Sequence, residues 1–95
     1  MRESDIEKYL VERVKALGGE VRKVKWIGRR GAPDRLVMLP QDLPAGRLDT
    51  TLWVELKAPG EKPKPHQARE HERMRRMGQC VVVIDSMEGV DEVLA

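Results

Sequence analysis

The sequence has no Phe, one Tyr and two Trp among 95 residues, so any core has to be filled by aliphatic side chains. It has one cysteine, Cys80, which excludes an intrachain disulfide framework and suits a reducing cytoplasm. Cys80 abuts Val81-Val82-Val83-Ile84 and reads as a buried small hydrophobe rather than a nucleophile. No apolar run approaches the roughly 18 residues of a transmembrane span, which excludes a membrane protein. The start, Met1-Arg2-Glu3-Ser4-Asp5, leads into a charged segment and not into a signal-peptide core. The two histidines, His66 and His71, are five apart with no Cys partner, so no zinc site is expected. There is no glycine-rich phosphate loop of the P-loop type, hence no nucleotide cofactor.

What is present is charge. Charged residues make up 36% of the chain and hydrophobic ones 40%, which fits a soluble domain. The net charge of +2 conceals an asymmetry: residues 1–12 carry 2 basic and 4 acidic side chains, residues 13–76 carry 16 and 8, and residues 77–95 carry none and 4. A basic body between acidic ends can attract phosphate backbones, or can simply be a well-solvated surface. The length leaves room for one domain, residues 1–95. A fold of that size buries only roughly 60–65% of its unfolded surface, so dimerisation would be a natural supplement.

Hydrophobic spacing predicts a helix over 4–17, with Ile6, Leu10, Val14 and Leu17 on one face and Gly18-Gly19 as its stop. Strands are expected at 20–27, 36–39 and 51–57, with a long hairpin loop over 40–50 between the last two. A stiff connector with three prolines (58–65) leads to a helix over 66–77. A strongly apolar strand (79–84) and a short helix over 87–94 follow. The order is α-β-β-β-α-β-(α), a mixed α/β domain.

The third strand carries the most informative residues. Side chains alternate across a strand, so Leu52, Val54 and Leu56 face a core, while Trp53, Glu55 and Lys57 share the other face. Glu-x-Lys alone is weak evidence: with 16 acids and 7 lysines, roughly one acid-x-Lys triple arises by chance. Its context is Pro33-Asp34, 21 residues upstream, where Pro33 keeps Ala32 extended and sets the entry to the preceding strand. If the two strands pair, Asp34 and Glu55 lie near each other. Two hard carboxylates plus a backbone carbonyl suit Mg²⁺ or Mn²⁺, and a nearby lysine can hold a water or a phosphate oxygen.

Pro33-Asp34 followed by Glu55-Leu56-Lys57 in this element order resembles the PD-(D/E)xK nuclease superfamily. The closer likeness is to its virus-type replication-repair nuclease (VRR-NUC) branch, carried by the loop from Gly28 to Arg35, by Val54-Glu55-Leu56-Lys57-Ala58-Pro59-Gly60 and by Gln67. The resemblance spans about residues 3 to 94. It implies a restriction-endonuclease-like core, a mixed central sheet flanked by helices, and Mg²⁺- or Mn²⁺-dependent hydrolysis of phosphodiester bonds. Stand-alone members resemble small phage-type proteins, similar in plan to archaeal Holliday-junction resolvases. A bacterial or phage-infected cytoplasm is the implied setting, and a homodimer cutting four-way DNA junctions the implied enzyme. A flap or nonspecific DNA nuclease, or a catalytically silent nucleic-acid-binding protein on the same fold, are the alternatives.

Residue by residue, the resemblance makes Asp34 and Glu55 metal ligands, with the Leu56 carbonyl as a third oxygen. Lys57 orients the attacking water or stabilises developing charge. Gln67 takes the family's glutamine on the second helix; periodicity also turns it inward with His71 and Met74, although it could merely cap the helix. Glu7 takes the first-helix glutamate near the metal, with Glu3 as the other candidate. Against Glu7, Ser4-Asp5-Ile6-Glu7 also reads as a capping box. Arg29, Arg30 and Arg35 in and after the glycine-flanked loop, Lys62 and Lys64 in the connector, and Arg69 and Arg73 on the second helix are expected DNA contacts. Glu72 is expected to pair with Arg76.

Overall fold

The computed structural model describes residues 1–43 and 49–95; the part of the predicted 40–50 loop at 44–48 lies outside the described residues. Seven elements follow in order: α1 (Glu3–Ala16), β1 (Glu20–Lys23), β2 (Arg35–Met38), β3 (Thr51–Leu56), α2 (Pro65–Arg76), β4 (Val81–Ile84) and α3 (Met87–Leu94). The sheet order is β1-β2-β3-β4. The first two pairings are antiparallel and β3–β4 is parallel, as the α2 crossover requires. The fold is thus the expected α/β arrangement with a mixed sheet.

Leu52, Val54 and Leu56 do face a core. They join Ile6, Leu10 and Val14 of α1, Val37, Ile84, and Val90 and Leu94 of α3 in one apolar cluster. The α1 contributors recur every fourth residue and are fully buried. Helix α1 stops where Gly18 turns to φ +86°, a conformation open to glycine at no steric cost. Helix α3 is tied to α1 by Asp91, which accepts the Tyr9 hydroxyl at 2.7 Å and pairs with Arg13. Part of the acidic C-terminal segment is therefore used inside the chain. Ser86 caps α3, its hydroxyl accepting the Gly89 N–H at 2.9 Å.

Helix α2 covers the opposite face, and this is where the strand boundaries depart from expectation. The first strand ends at Lys23, not Ile27. The Val24 N–H still bonds the Asp34 carbonyl (2.9 Å), after which the chain leaves the ladder and Ile27 is almost fully exposed. Trp26 turns over the sheet onto Trp53, ring centroids 5.7 Å apart. The N-cap of α1 is Arg2, whose backbone N–H donates to Asp5 at 2.8 Å. Ser4 lies inside the helix, so the Ser4–Glu7 capping box does not form and Glu7 is free of the backbone. Among the described residues, no helix is long and apolar enough to cross a membrane.

Candidate functional site

Asp34 immediately precedes β2, and the register pairs Arg35 with Val54. One step on, Asp34 lies across from Glu55 on the face that α2 covers. The Leu56 backbone N–H donates to Asp34 Oδ2 at 2.7 Å, which fixes that carboxylate against β3. The loop that delivers Asp34 presses closely on α2. Gly31 sits at φ +94°, and a Cβ there would fall 2.9 Å from both the Glu70 Cβ and the His66 carbonyl. Only glycine fits that approach.

Glu55 is 1% exposed, so it is a buried carboxyl and not half of a solvated ion pair. Its Oε1 lies 3.2 Å from His71 Nε2 and its Oε2 lies 3.7 Å from Lys57 Nζ. Burial is the main cause of a pKa pushed up to about 8; the hydrogen bond and charge of Asp34 add to it, and Lys57 offsets only part. His71 is equally sealed; burial and the Arg75 charge hold it below the ordinary imidazole range, so it is a neutral partner for Glu55. Lys57 Nζ donates to Gln67 Oε1 at 2.9 Å, and the same oxygen accepts the Lys64 N–H at 2.8 Å. Gln67 therefore both caps α2 and positions Lys57, so the two readings of that residue describe one geometry.

Glu7 is elsewhere. Arg35 pairs in register with Val54, so strand alternation sends its side chain to the α1 face, where it forms an ion pair with Glu7. That removes Arg35 from the exposed contacts: only 17% of its side chain is exposed, and it also donates to the Asp34 carbonyl. Glu3, one turn before Glu7 and exposed, is close enough for its charge to act on both Glu55 and Arg35. Among the described residues, no three His, Cys, Asp or Glu side chains form a metal-holding cluster.

The other predicted contacts sort into two groups. Arg30 approaches His66 Nδ1 at 3.4 Å. Desolvation, together with the charges of Arg30, Lys64, Arg69 and Lys57, lowers the His66 pKa; a basic patch thus gathers at the N-terminal end of α2, beside the acidic pair. Lys62 is exposed in the connector before it. Arg29 and Arg73 instead converge on Glu70, at 2.7 and 2.9 Å. Glu72 pairs with Arg75 (3.8 Å) rather than Arg76, and Arg75 also donates to the Val81 carbonyl at 2.9 Å. Sequence reasoning missed His71, Glu70 and His66. His71 was legible as the residue one turn after Gln67 on the same inward face.

An acidic pair at adjacent ends of two central strands, a lysine two residues on and a helix glutamine holding it are thus brought together on one face of a restriction-endonuclease-like α/β fold. The comparisons agree. The chain is 49% identical over 88 residues to "Putative nuclease p44" of Acyrthosiphon pisum secondary endosymbiont phage 1, covering 93% of this chain and 87% of that protein. A solved structure described as a VRR_NUC domain superposes with a TM-score of 0.82 at 45% identity, covering 97% of this chain and 92% of that one. No family model matches the chain. By these relationships the chain belongs to the VRR_NUC domain family.

Proposed function

We propose that this protein is a divalent-metal-dependent endodeoxyribonuclease acting on branched DNA, most simply a homodimeric resolvase of four-way junctions. The observation that carries the reading is the Asp34–Glu55 pair: two carboxyls in mutual contact, one buried and pushed up to about 8, beside Lys57. A site that holds a proton so firmly near neutral pH is one where positive charge is wanted, and hard oxygen donors fit a hard cation. Asp34 and Glu55 would hold Mg²⁺ or Mn²⁺ together with the Leu56 carbonyl, waters and substrate oxygens completing the shell. Such an ion, when bound, supplies a lowered water pKa and polarises a phosphoryl oxygen.

The chain's own residues set the rest. The Leu56 N–H and His71 hold the two carboxyls in place. Lys57, anchored by Gln67, presents its ammonium where charge develops on the phosphate. Glu3, rather than the Arg35-bound Glu7, is the first-helix carboxylate available to this site. Arg30, Lys62, Lys64 and Arg69 are placed to neutralise flanking phosphates. Two such sites in a two-fold dimer match the two cuts a junction needs.

The test is cleavage of a labelled four-way junction, a flap and a linear duplex with Mg²⁺, Mn²⁺ or EDTA. Paired symmetric nicks in the junction alone, lost in EDTA, support the resolvase. Cutting of flap or duplex with equal rate replaces it by a less selective nuclease. Tight junction binding without cleavage in either metal replaces it by a binding protein on the same fold.

A further inference from the structure

Both tryptophans of the chain line one shallow cavity of about 340 Å³, between the segment after β1, the start of β3 and the C-terminal half of α2. Its size is at the lower end of small-ligand cavities, roughly 300–1,000 Å³. The two rings are tilted by 54°, so neither lies flat on the other. The Trp53 indole N–H donates to Gln79 Oε1 at 2.9 Å, which fixes the ring plane and satisfies its one polar group. At the rim stand Arg29 and Arg73, both bonded to the 7%-exposed carboxylate of Glu70 while their own side chains are 55% and 47% exposed. Burial raises the Glu70 pKa, but Arg73 and Arg29 outweigh it and hold it below the ordinary range, so the carboxylate stays ionised. Two guanidiniums against one carboxylate leave the rim net positive.

Aromatic walls under an excess of arginine charge suit a nucleobase with its phosphate: the base stacks, the phosphate meets a guanidinium. A paired base inside a duplex has both faces covered by its neighbours, so the occupant is unpaired. The cavity also lies in the right place. Trp53 is two residues before Glu55 on the same face of β3, roughly 6–7 Å along the strand. We propose that this groove seats one unpaired nucleobase of the substrate on Trp53, with Arg29 and Arg73 on its phosphate, and so selects DNA whose strands are splayed near the cut. The inference rests on the nuclease reading above and deepens it.

Because no other tryptophan is present, tryptophan emission, excited beyond the Tyr9 absorption, reports on this groove alone. The experiment uses the Glu55→Gln chain in EDTA, titrated with a short fluorescein-labelled oligothymidylate and with a blunt duplex of equal length. Anisotropy reads total binding and tryptophan emission reads the groove. Saturable quenching by the single strand, tracking the anisotropy and weak with the duplex, is expected. Trp53→Ala should weaken single-strand binding by about 5- to 100-fold, the range of one lost stacking contact. Trp53→Phe should keep most of the affinity that Trp53→Ala loses, and Arg73→Glu, on the exposed rim, should weaken binding about 10-fold. Oligonucleotide binding with unchanged emission, or unaffected by these variants, overturns the groove and leaves the nuclease reading standing. Emission that follows protein concentration instead of oligonucleotide also overturns it and makes the groove a self-association surface. Failure of every DNA to bind, with no junction cleavage by the unaltered chain, strikes the nuclease reading itself.

Discussion

Leu52, Val54 and Leu56 alternate along β3 with Trp53, Glu55 and Lys57, and the two sets meet different partners. The first set is sealed by α1 and α3, and every buried member of that cluster is aliphatic. The second is covered by α2, and there the buried residues include, besides Val81, the polar Glu55, Glu70 and His71. An apolar side chain is stabilised by burial in itself, whereas a buried charge is destabilising unless partners are supplied. The α1 face therefore stabilises the fold, and the α2 face uses some of that stability to hold charge. The Glu55 carboxyl, pushed up to about 8, shows the cost. On the α1 face the charged pair Glu7–Arg35 sits at the margin, partly open to water.

The sharpest break in this comparison is Glu55→Gln. On the proposed reading, cleavage should fall by at least about 100-fold, since the amide keeps the shape and removes the charge that would bind the cation. Stability should move the other way. A carboxyl whose folded pKa is raised destabilises the fold as pH rises from the unfolded value near 4.5 through about 8. The loss reaches at most on the order of 3–5 kcal/mol above that window. The unaltered protein in EDTA should thus be less stable at pH 9 than at pH 5, and the Gln variant should lack most of that slope; urea unfolding at the two pH values checks both. Because the lowered His71 pKa works in the opposite direction, the difference between the two proteins is the test: equal pH slopes would contradict the buried acid.

Next in size, Leu52→Ala on the other face should cost about 2–5 kcal/mol at every pH, with cleavage per folded molecule close to normal. Chemical denaturation alongside active-site titration separates the two quantities. Divalent metal should then sharpen the contrast. Mn²⁺ should raise the melting temperature of the unaltered chain but not that of Glu55→Gln, because only the former gains a ligand in the native state. Differential scanning fluorimetry decides it.

Smaller effects probe the margins of the polar face. Gln67→Ala removes an acceptor from both Lys57 and the α2 N-terminus, and should lose about 1 kcal/mol of stability and about 10-fold in cleavage. Glu3→Gln should weaken metal binding by calorimetry more than Glu7→Gln does, although both lie on α1. Glu7→Gln should instead cost up to about 1 kcal/mol of stability by unpairing Arg35. The reverse ranking would return Glu7 to the metal.

Much of this molecule was legible in the chain. The period-four residues of α1, the alternation in β3 and the glycine stops placed six of the seven elements within two residues. Asp34, Glu55, Lys57 and Gln67 were singled out by the family resemblance, and strand and helix periods added which of them share a face. The first strand ran short because after Val24 the chain leaves the ladder and Trp26 packs against Trp53, a contact 27 residues away in sequence. Glu7 and Arg35 were read as separate functional residues, yet the register of β2 against β3 turns Arg35 toward α1, where the pair satisfies itself. Likewise Arg29 and Arg73 are 44 positions apart, and only the close approach allowed by Gly31 brings them to one carboxylate. Local periodicity determined which elements form and which faces they bury. Which charges meet, and so which remain free for a metal or a phosphate, was decided by the tertiary structure, because electrostatic pairing depends on distance in space and leaves no period along the chain.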